Sequence, residues 1–275
     1  MRKCDYCGRA NEEASTSCRE CGTALPPTAE AAGGELARST SMSAAPQLNA
    51  RCVTKILAVV LAASMLAGFI TGVAGALNFT AQGHDLRSER QARHFIRIVA
   101  DPIGAVMTLA AGAAMLLATR CLPRGALADG SPVGAAWNIG PAKKVAQGLG
   151  LGILAGLAIS ILSEHQAKHH AYGLVKTVAA VALAPPVEEA LFRGLLYGGY
   201  RRSFGPVWAA VATTFLFCLP HAVQMSQSVF AAVGITGMAL AALWLRLRSA
   251  SVGPAVAAHM GYNAAIAAVF LFYMP

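Results

Sequence analysis

Charge is what this chain has least of. Only 13% of its 275 residues are Asp, Glu, Lys or Arg, against roughly a quarter in a soluble domain, and the mean hydropathy is +0.52. That shortage excludes an ordinary water-soluble domain and makes this a membrane protein by composition. The strict apolar–polar alternation of barrel strands is missing too. Lipid cannot satisfy open backbone groups, so the spanning segments must be helices. No apolar run opens the chain: its first fifty residues are polar and cysteine-bearing, and no cleavable signal peptide is expected. Nor do basic residues cluster on one soluble face, so the net charge of +9 gives no case for a nucleic-acid partner.

Apolar residues fill the space that charge leaves. They make up 56% of the chain and recur in runs of about 18 or more, long enough to cross a bilayer. These runs cover 55–77, 102–119, 145–163, 174–198, 206–223, 228–245 and 250–273. The fold class expected is an all-α polytopic membrane protein with about seven transmembrane helices, preceded by a small zinc-ribbon module and a flexible linker. Basic residues collect at the ends of the runs, as they do in the loops of such proteins. If the spans alternate, Arg51, Lys55, Arg120, Arg124, Lys143, Lys144, Arg201, Arg202, Arg246 and Arg248 share one side. Arg87, Arg90, Arg93, Arg97, Lys168 and Lys176 share the other. The richer side is expected to be cytoplasmic and to hold the amino terminus. Trp208, Trp244, Tyr197 and Tyr200 fall at that same interface, as belt aromatics do. Residues 84–99 mix arginines with Phe95, Ile96 and Ile98 and are expected to lie on the membrane surface before the second span.

Four of the seven cysteines lie in residues 1–24. Cys4-x2-Cys7 and Cys18-x2-Cys21 form two knuckles, each followed by a glycine (Gly8 and Gly22) that lets the backbone turn its amides toward sulfur. Four thiolates can close a structural zinc site, and a segment this short has no core to fold around without metal. Two disulfides could use the same residues, but a cytoplasmic side disfavours them. The arrangement resembles the small zinc ribbons at the start of many bacterial membrane proteins, which serve as structure or as a docking surface for a protein partner. Residues 25–50 are rich in Ala, Ser, Pro and Gly without an aromatic and read as a flexible linker. Cys52, Cys121 and Cys218 read as small apolar residues. Residues 51–173 then hold the amino-terminal transmembrane helices, and 174–275 carry the residues on which function is argued.

Two adjacent carboxyls, Glu188 and Glu189, and a guanidinium, Arg193, lie inside the apolar run 174–198. Each such charge costs several kcal/mol in lipid, so three together call for a polar cavity or a catalytic site. Pro185 and Pro186 cannot donate helical hydrogen bonds, and a kink or restart is expected there. Glu189 precedes Arg193 by four residues and can pair with it on one face. Glu188 is rotated about 100° away, which leaves one carboxyl tied up and the other free to work. Phe217 and His221 share a face of the fifth run, and His259 and Asn263 share a face of the seventh. Gly148, Gly152 and Gly156 repeat at four-residue spacing, a stripe that lets helices approach closely. An intramembrane histidine alone is often a helix-to-helix hydrogen bond, and a Glu–Arg pair alone can be a structural bridge. Several such groups on three spans point instead to one shared site.

Glu188-Glu189-x3-Arg193, then Phe217-x3-His221, then His259-x3-Asn263, in that order, resembles the CPBP intramembrane proteases. That family includes the type II CAAX prenyl endopeptidases and the bacterial Abi proteins, and the resemblance covers about residues 174–270. It implies a glutamate-dependent peptidase without an active-site metal, multi-pass in a bacterial inner membrane, acting on a membrane-embedded or lipidated peptide or protein. By resemblance, Glu188 and His221 would activate a water, His259 and Asn263 would hold the oxyanion, and Glu189 with Arg193 would set the frame. Fixed donors in a dry site suit such a charge.

Other functions remain open on the residues alone. Glu188, His221 and His259 could ligate catalytic zinc, although the sequence has no HExxH. A non-enzymatic immunity or scaffold protein would keep its phenotype without Glu188. Intramembrane acids and histidines also build proton or ion relays.

Overall fold

The computed structural model describes residues 49–120, 139–163 and 174–273, together with 1–4, 10–13, 15, 16, 18 and 25. At the amino terminus, β1 (Arg2–Lys3) pairs antiparallel with β2 (Ala10–Asn11). Cys4 and Cys18 are buried beside Leu25, and Asn11 Nδ2 donates to Cys18 Sγ at 3.5 Å. Of the four thiolates expected to bind zinc, Cys7 and Cys21 lie outside the described residues, as does most of the 25–50 linker.

Among the described residues, six helices are long and apolar enough to cross a membrane. α1 is Ala50–Ala81, α2 is Glu89–Arg120 and α3 is Ala142–Leu162. α4 is a composite helical run over 174–227, α5 is Val229–Ser249 and α6 is Gly253–Tyr273. α1 begins where Asn49 Oδ1 accepts the Cys52 N–H at 3.1 Å, the side-chain cap that a first turn needs. It pairs antiparallel with α2: Gly68 faces Met107, Gly75 faces Val99, and the rings of Phe79 and Phe95 lie 5.4 Å apart. Residues 89–99, expected as a surface segment, are instead the opening turns of α2, which runs on through Pro102.

α4 explains why seven apolar stretches occupy six helices. Its membrane-length part is 49 residues long, which would reach about 74 Å if straight, more than twice the hydrocarbon thickness. It is not straight. Gly205 has φ 81° and ψ 171°, a conformation open almost only to glycine. Phe192 and Phe217, on either side of that residue, bring their rings to 5.4 Å at 81°. The chain has therefore folded back, and the runs 174–198 and 206–223 are the two arms of one hairpin. The glycine stripe gives an independent check. Gly148, Gly152 and Gly156 meet Pro254, Ala258 and Tyr262 in turn, so α3 and α6 run parallel. Between them lie the hairpin and α5, so a parallel pair requires the two arms of the hairpin to cross together or not at all. Both arms are long enough to cross. At each of the three glycines a Cβ would run into a backbone carbonyl of α6. That is the close approach on which packing in lipid depends.

The core sits on this hairpin. Leu191, Phe192, Leu195, Leu196 and Tyr197 of the first arm are buried against Val53, Ile56, Leu57 and Val60 of α1 and Phe217 of the second arm.

Candidate active site

The first arm of α4 is locally wide. Ala179–Leu183 and Ala190–Leu196 are π-helical turns on either side of the α-helical Ala184–Glu189. The prolines account for the first of them. In the wide turn the Ala184 N–H bonds to Ala179 O, and the next donor in line belongs to Pro185, which has none. Ala180 O is thus stripped of a backbone donor, a costly state away from water. Asn263 of α6 supplies the replacement, its Nδ2 donating to Ala180 O at 2.7 Å. The restart expected at the proline pair takes the form of a change of helix type. A new α-helical segment opens at Ala184 with both prolines in its first turn. The wide turn before it, with a side-chain donor from another helix, absorbs the missing bonds.

That geometry delivers the two adjacent glutamates to different surroundings. Glu189 is completely buried. One of its oxygens lies 3.3 Å from Arg193 Nε, and the other accepts from His259 Nδ1 at 3.0 Å. Arg193 is itself buried, donates from Nη2 to Ala239 O of α5 at 2.8 Å, and lies with its guanidinium carbon 4.3 Å from the centre of the Phe217 ring. Glu188 faces another way and keeps 26% of its side chain accessible. Its Oε2 has no hydrogen bond and stands 4.0 Å from His259 Nε2. The division read from the spacing holds: Glu189 pairs with Arg193 and Glu188 does not.

Phe217 gathers the rest. The His221 ring stacks on it at 5.0 Å and 21°, and the His259 ring meets it edge-on at 5.8 Å and 66°. His221 closes the 3₁₀ turn Leu219–His221, and its Nδ1 is 3.0 Å from Phe217 O. A carbonyl can only accept, so Nδ1 carries the hydrogen and the neutral ring keeps its lone pair on Nε2. The same logic applies to His259. A carboxylate accepts, so His259 Nδ1 donates to Glu189 and Nε2 is turned toward Glu188.

Glu188, Glu189, Arg193 and His259 are thus in direct contact, and His221 joins them through the Phe217 ring. Asn263, one turn beyond His259 on α6, has its amide held by the Ala180 carbonyl. Among the described residues, no three His, Cys, Asp or Glu side chains gather closely enough to hold a metal ion.

One participant was missed from sequence. Arg246, placed at a span end by its position beside Arg248, is completely buried and donates from Nε to Arg193 O at 3.3 Å. Only the tertiary fold reveals this, since an arginine near the end of a helix reads as an interface residue.

Residues 170–265 match the family Type II CAAX prenyl endopeptidase Rce1-like. Searches of curated proteins and of solved structures gave no match. The matched segment holds the whole cluster just described, from Glu188 to Asn263.

Proposed function

We propose that this Rce1-like domain, an intramembrane peptidase by family, cuts its peptide or protein substrate with a water activated by Glu188 and His221. The observation that carries the reading is the unequal state of the two glutamates. Glu189 is completely buried, with one oxygen in an ion pair with Arg193 and the other bonded to His259. Glu188, by contrast, is partly accessible, has no Arg or Lys partner among the described residues and turns Oε2 toward the histidine at 4.0 Å. A carboxylate so placed can accept a proton; one so tied cannot do so without breaking its own ion pair.

In this mechanism Glu188, assisted by the lone pair on His221 Nε2, removes a proton as water attacks the scissile carbonyl carbon. The carbonyl π electrons move to oxygen and form a tetrahedral oxyanion. An Nε2–H of His259, whose ring is anchored through Nδ1, would donate to that oxygen. Asn263 spends one amide hydrogen on Ala180 O and offers the other. Collapse of the intermediate expels the amine, which takes back the proton held by Glu188 and His221. General acid–base transfer of this kind contributes about 10²–10⁴-fold, and each fixed oxyanion donor about 10²–10³-fold. No step requires a metal at the site.

The substrate we infer is membrane-embedded or lipidated, because the reacting groups sit on transmembrane helices. The amino terminus is placed in the cytoplasm on the balance of loop charges, and the ribbon cysteines Cys4, Cys7, Cys18 and Cys21 are assigned a structural zinc. The decisive test offers purified full-length protein a prenylated CAAX peptide and a panel of transmembrane peptides. Glu188→Gln is expected to lower cleavage by about 100-fold or more with the melting temperature unchanged. Cleavage at the wild-type rate by that variant would overturn the assignment.

A further inference from the structure

Away from the catalytic cluster, a groove of about 630 Å³ opens between the first turns of α1 and the two arms of α4. Its rim carries two cations, Arg51 and Lys55, one turn apart on α1 and both exposed. Neither forms an ion pair among the described residues. Beside them Thr54 Oγ1 and Tyr200 OH share a hydrogen bond of 3.1 Å, two hydroxyls at the same level as the cations. Further along, the walls become wholly apolar, with Phe215 and Leu216 of the second arm.

The order of these groups along the bundle is the informative point. Ala50 N is bonded to Ser203 Oγ at 2.9 Å, so the cationic rim lies level with the hairpin turn at Gly205. Leu216 lies eleven residues farther along the second arm, about 16 Å toward the middle of the membrane. Lys55 lies five residues along α1 from Ala50, so a ligand filling the groove must be anionic at one end and apolar for about 9 Å below Lys55. A soluble phosphate meets only the first requirement and a neutral lipid only the second. Basic pockets between transmembrane helices that satisfy both suit the headgroup and first acyl segment of an anionic phospholipid.

We propose that this groove binds one anionic phospholipid, with its phosphate at Arg51 and Lys55 and an acyl chain along Phe215 and Leu216. The proposal does not depend on peptidase activity. Its occupant would lie against the helix face next to Phe217, the ring on which both catalytic histidines rest.

The test uses the full chain in nanodiscs of phosphatidylcholine alone, or of phosphatidylcholine and phosphatidylglycerol in equal parts. Lipid retained after extraction into detergent is counted by native mass spectrometry. The wild-type protein is expected to keep one phosphatidylglycerol and to release phosphatidylcholine. The double variant Arg51→Gln/Lys55→Gln should hold phosphatidylglycerol about tenfold or more weakly. Arg90→Gln/Arg97→Gln on α2 should retain it like the wild type, and glycerol phosphate should not displace it. Equal retention of the two lipids by the wild type would overturn the proposal without recourse to any variant. Full retention by the Arg51/Lys55 variant, or displacement of lipid by glycerol phosphate, would overturn it as well.

Discussion

Glu188 and Glu189 are neighbours in sequence, yet they answer to different forces. Glu189 and Arg193 form a buried ion pair in which each partner also bonds to another helix, His259 in one case and Ala239 in the other. Such a pair is no guarantee of stability, because both ions have lost their water. Removing one member is a different matter, since it strands the other charge in a dry interior. Arg193→Gln or Glu189→Gln should therefore cost about 3–5 kcal/mol of stability, read as a fall in melting temperature in detergent or nanodiscs. Glu188→Gln should leave that temperature in place while activity disappears. Opposite responses from adjacent carboxyls would show directly that one is structural and the other chemical. A similar loss of stability in both would mean that Glu188 has a structural partner as well.

The same separation applies to helices and turns. A strict four-residue rule finds partners on one helix, and it correctly joined Glu189 to Arg193 and Phe217 to His221. It also found the glycine stripe on α3. It could not find the bond from Asn263 to Ala180 O or from Arg246 to Arg193 O, because those partners come from other helices. In both cases the acceptor is a carbonyl in a π-helical turn, and the π turns themselves were invisible in the sequence. Prolines usually signal a break. Here the prolines do open a new α-helical segment, a tertiary donor keeps the run continuous across it, and Asn263→Ala tests that donor. Leaving Ala180 O without a donor should cost about 1–3 kcal/mol, seen in thermal unfolding together with a loss of activity. Glycines supply a second contrast. Gly152→Val should separate α3 from α6 and prevent stable folding, since its Cβ would meet the Ala258 carbonyl, whereas Gly237→Ala has open space and should be neutral. At Gly205 an alanine must adopt φ 81°, a strain of about 1–3 kcal/mol.

Across the whole molecule, the parallel pairing of α3 and α6 and the hairpin of α4 together fix which loops share a side. Asn49 and Ser203 lie at one end of the bundle, and Gln82 and Ser228 lie at the other. Single cysteines at these four positions, in a background without the native ones, should react with an impermeant thiol reagent in two groups of two. Labelling of Ser203→Cys and Ser228→Cys from the same side would mean that the second arm of α4 does not cross. The apolar composition made the helices legible, and loop charge supplied an orientation for them. The count of helices was not legible, because a sequence does not distinguish a loop from a single glycine that reverses a continuous helix.

Glu189 and His221 each stand sixteen residues from Gly205 along the chain, one on either arm. The turn is thus the zero mark of a two-armed ruler, and the acid and the imidazole come to one level on facing arms because both are read off at the same distance. Adding one residue to either arm would advance it by about 1.5 Å and swing everything beyond by about 100°. Carboxyl and imidazole would then fall out of phase although neither had been altered, so this enzyme should tolerate new side chains on its lipid-facing surface far better than any change of length.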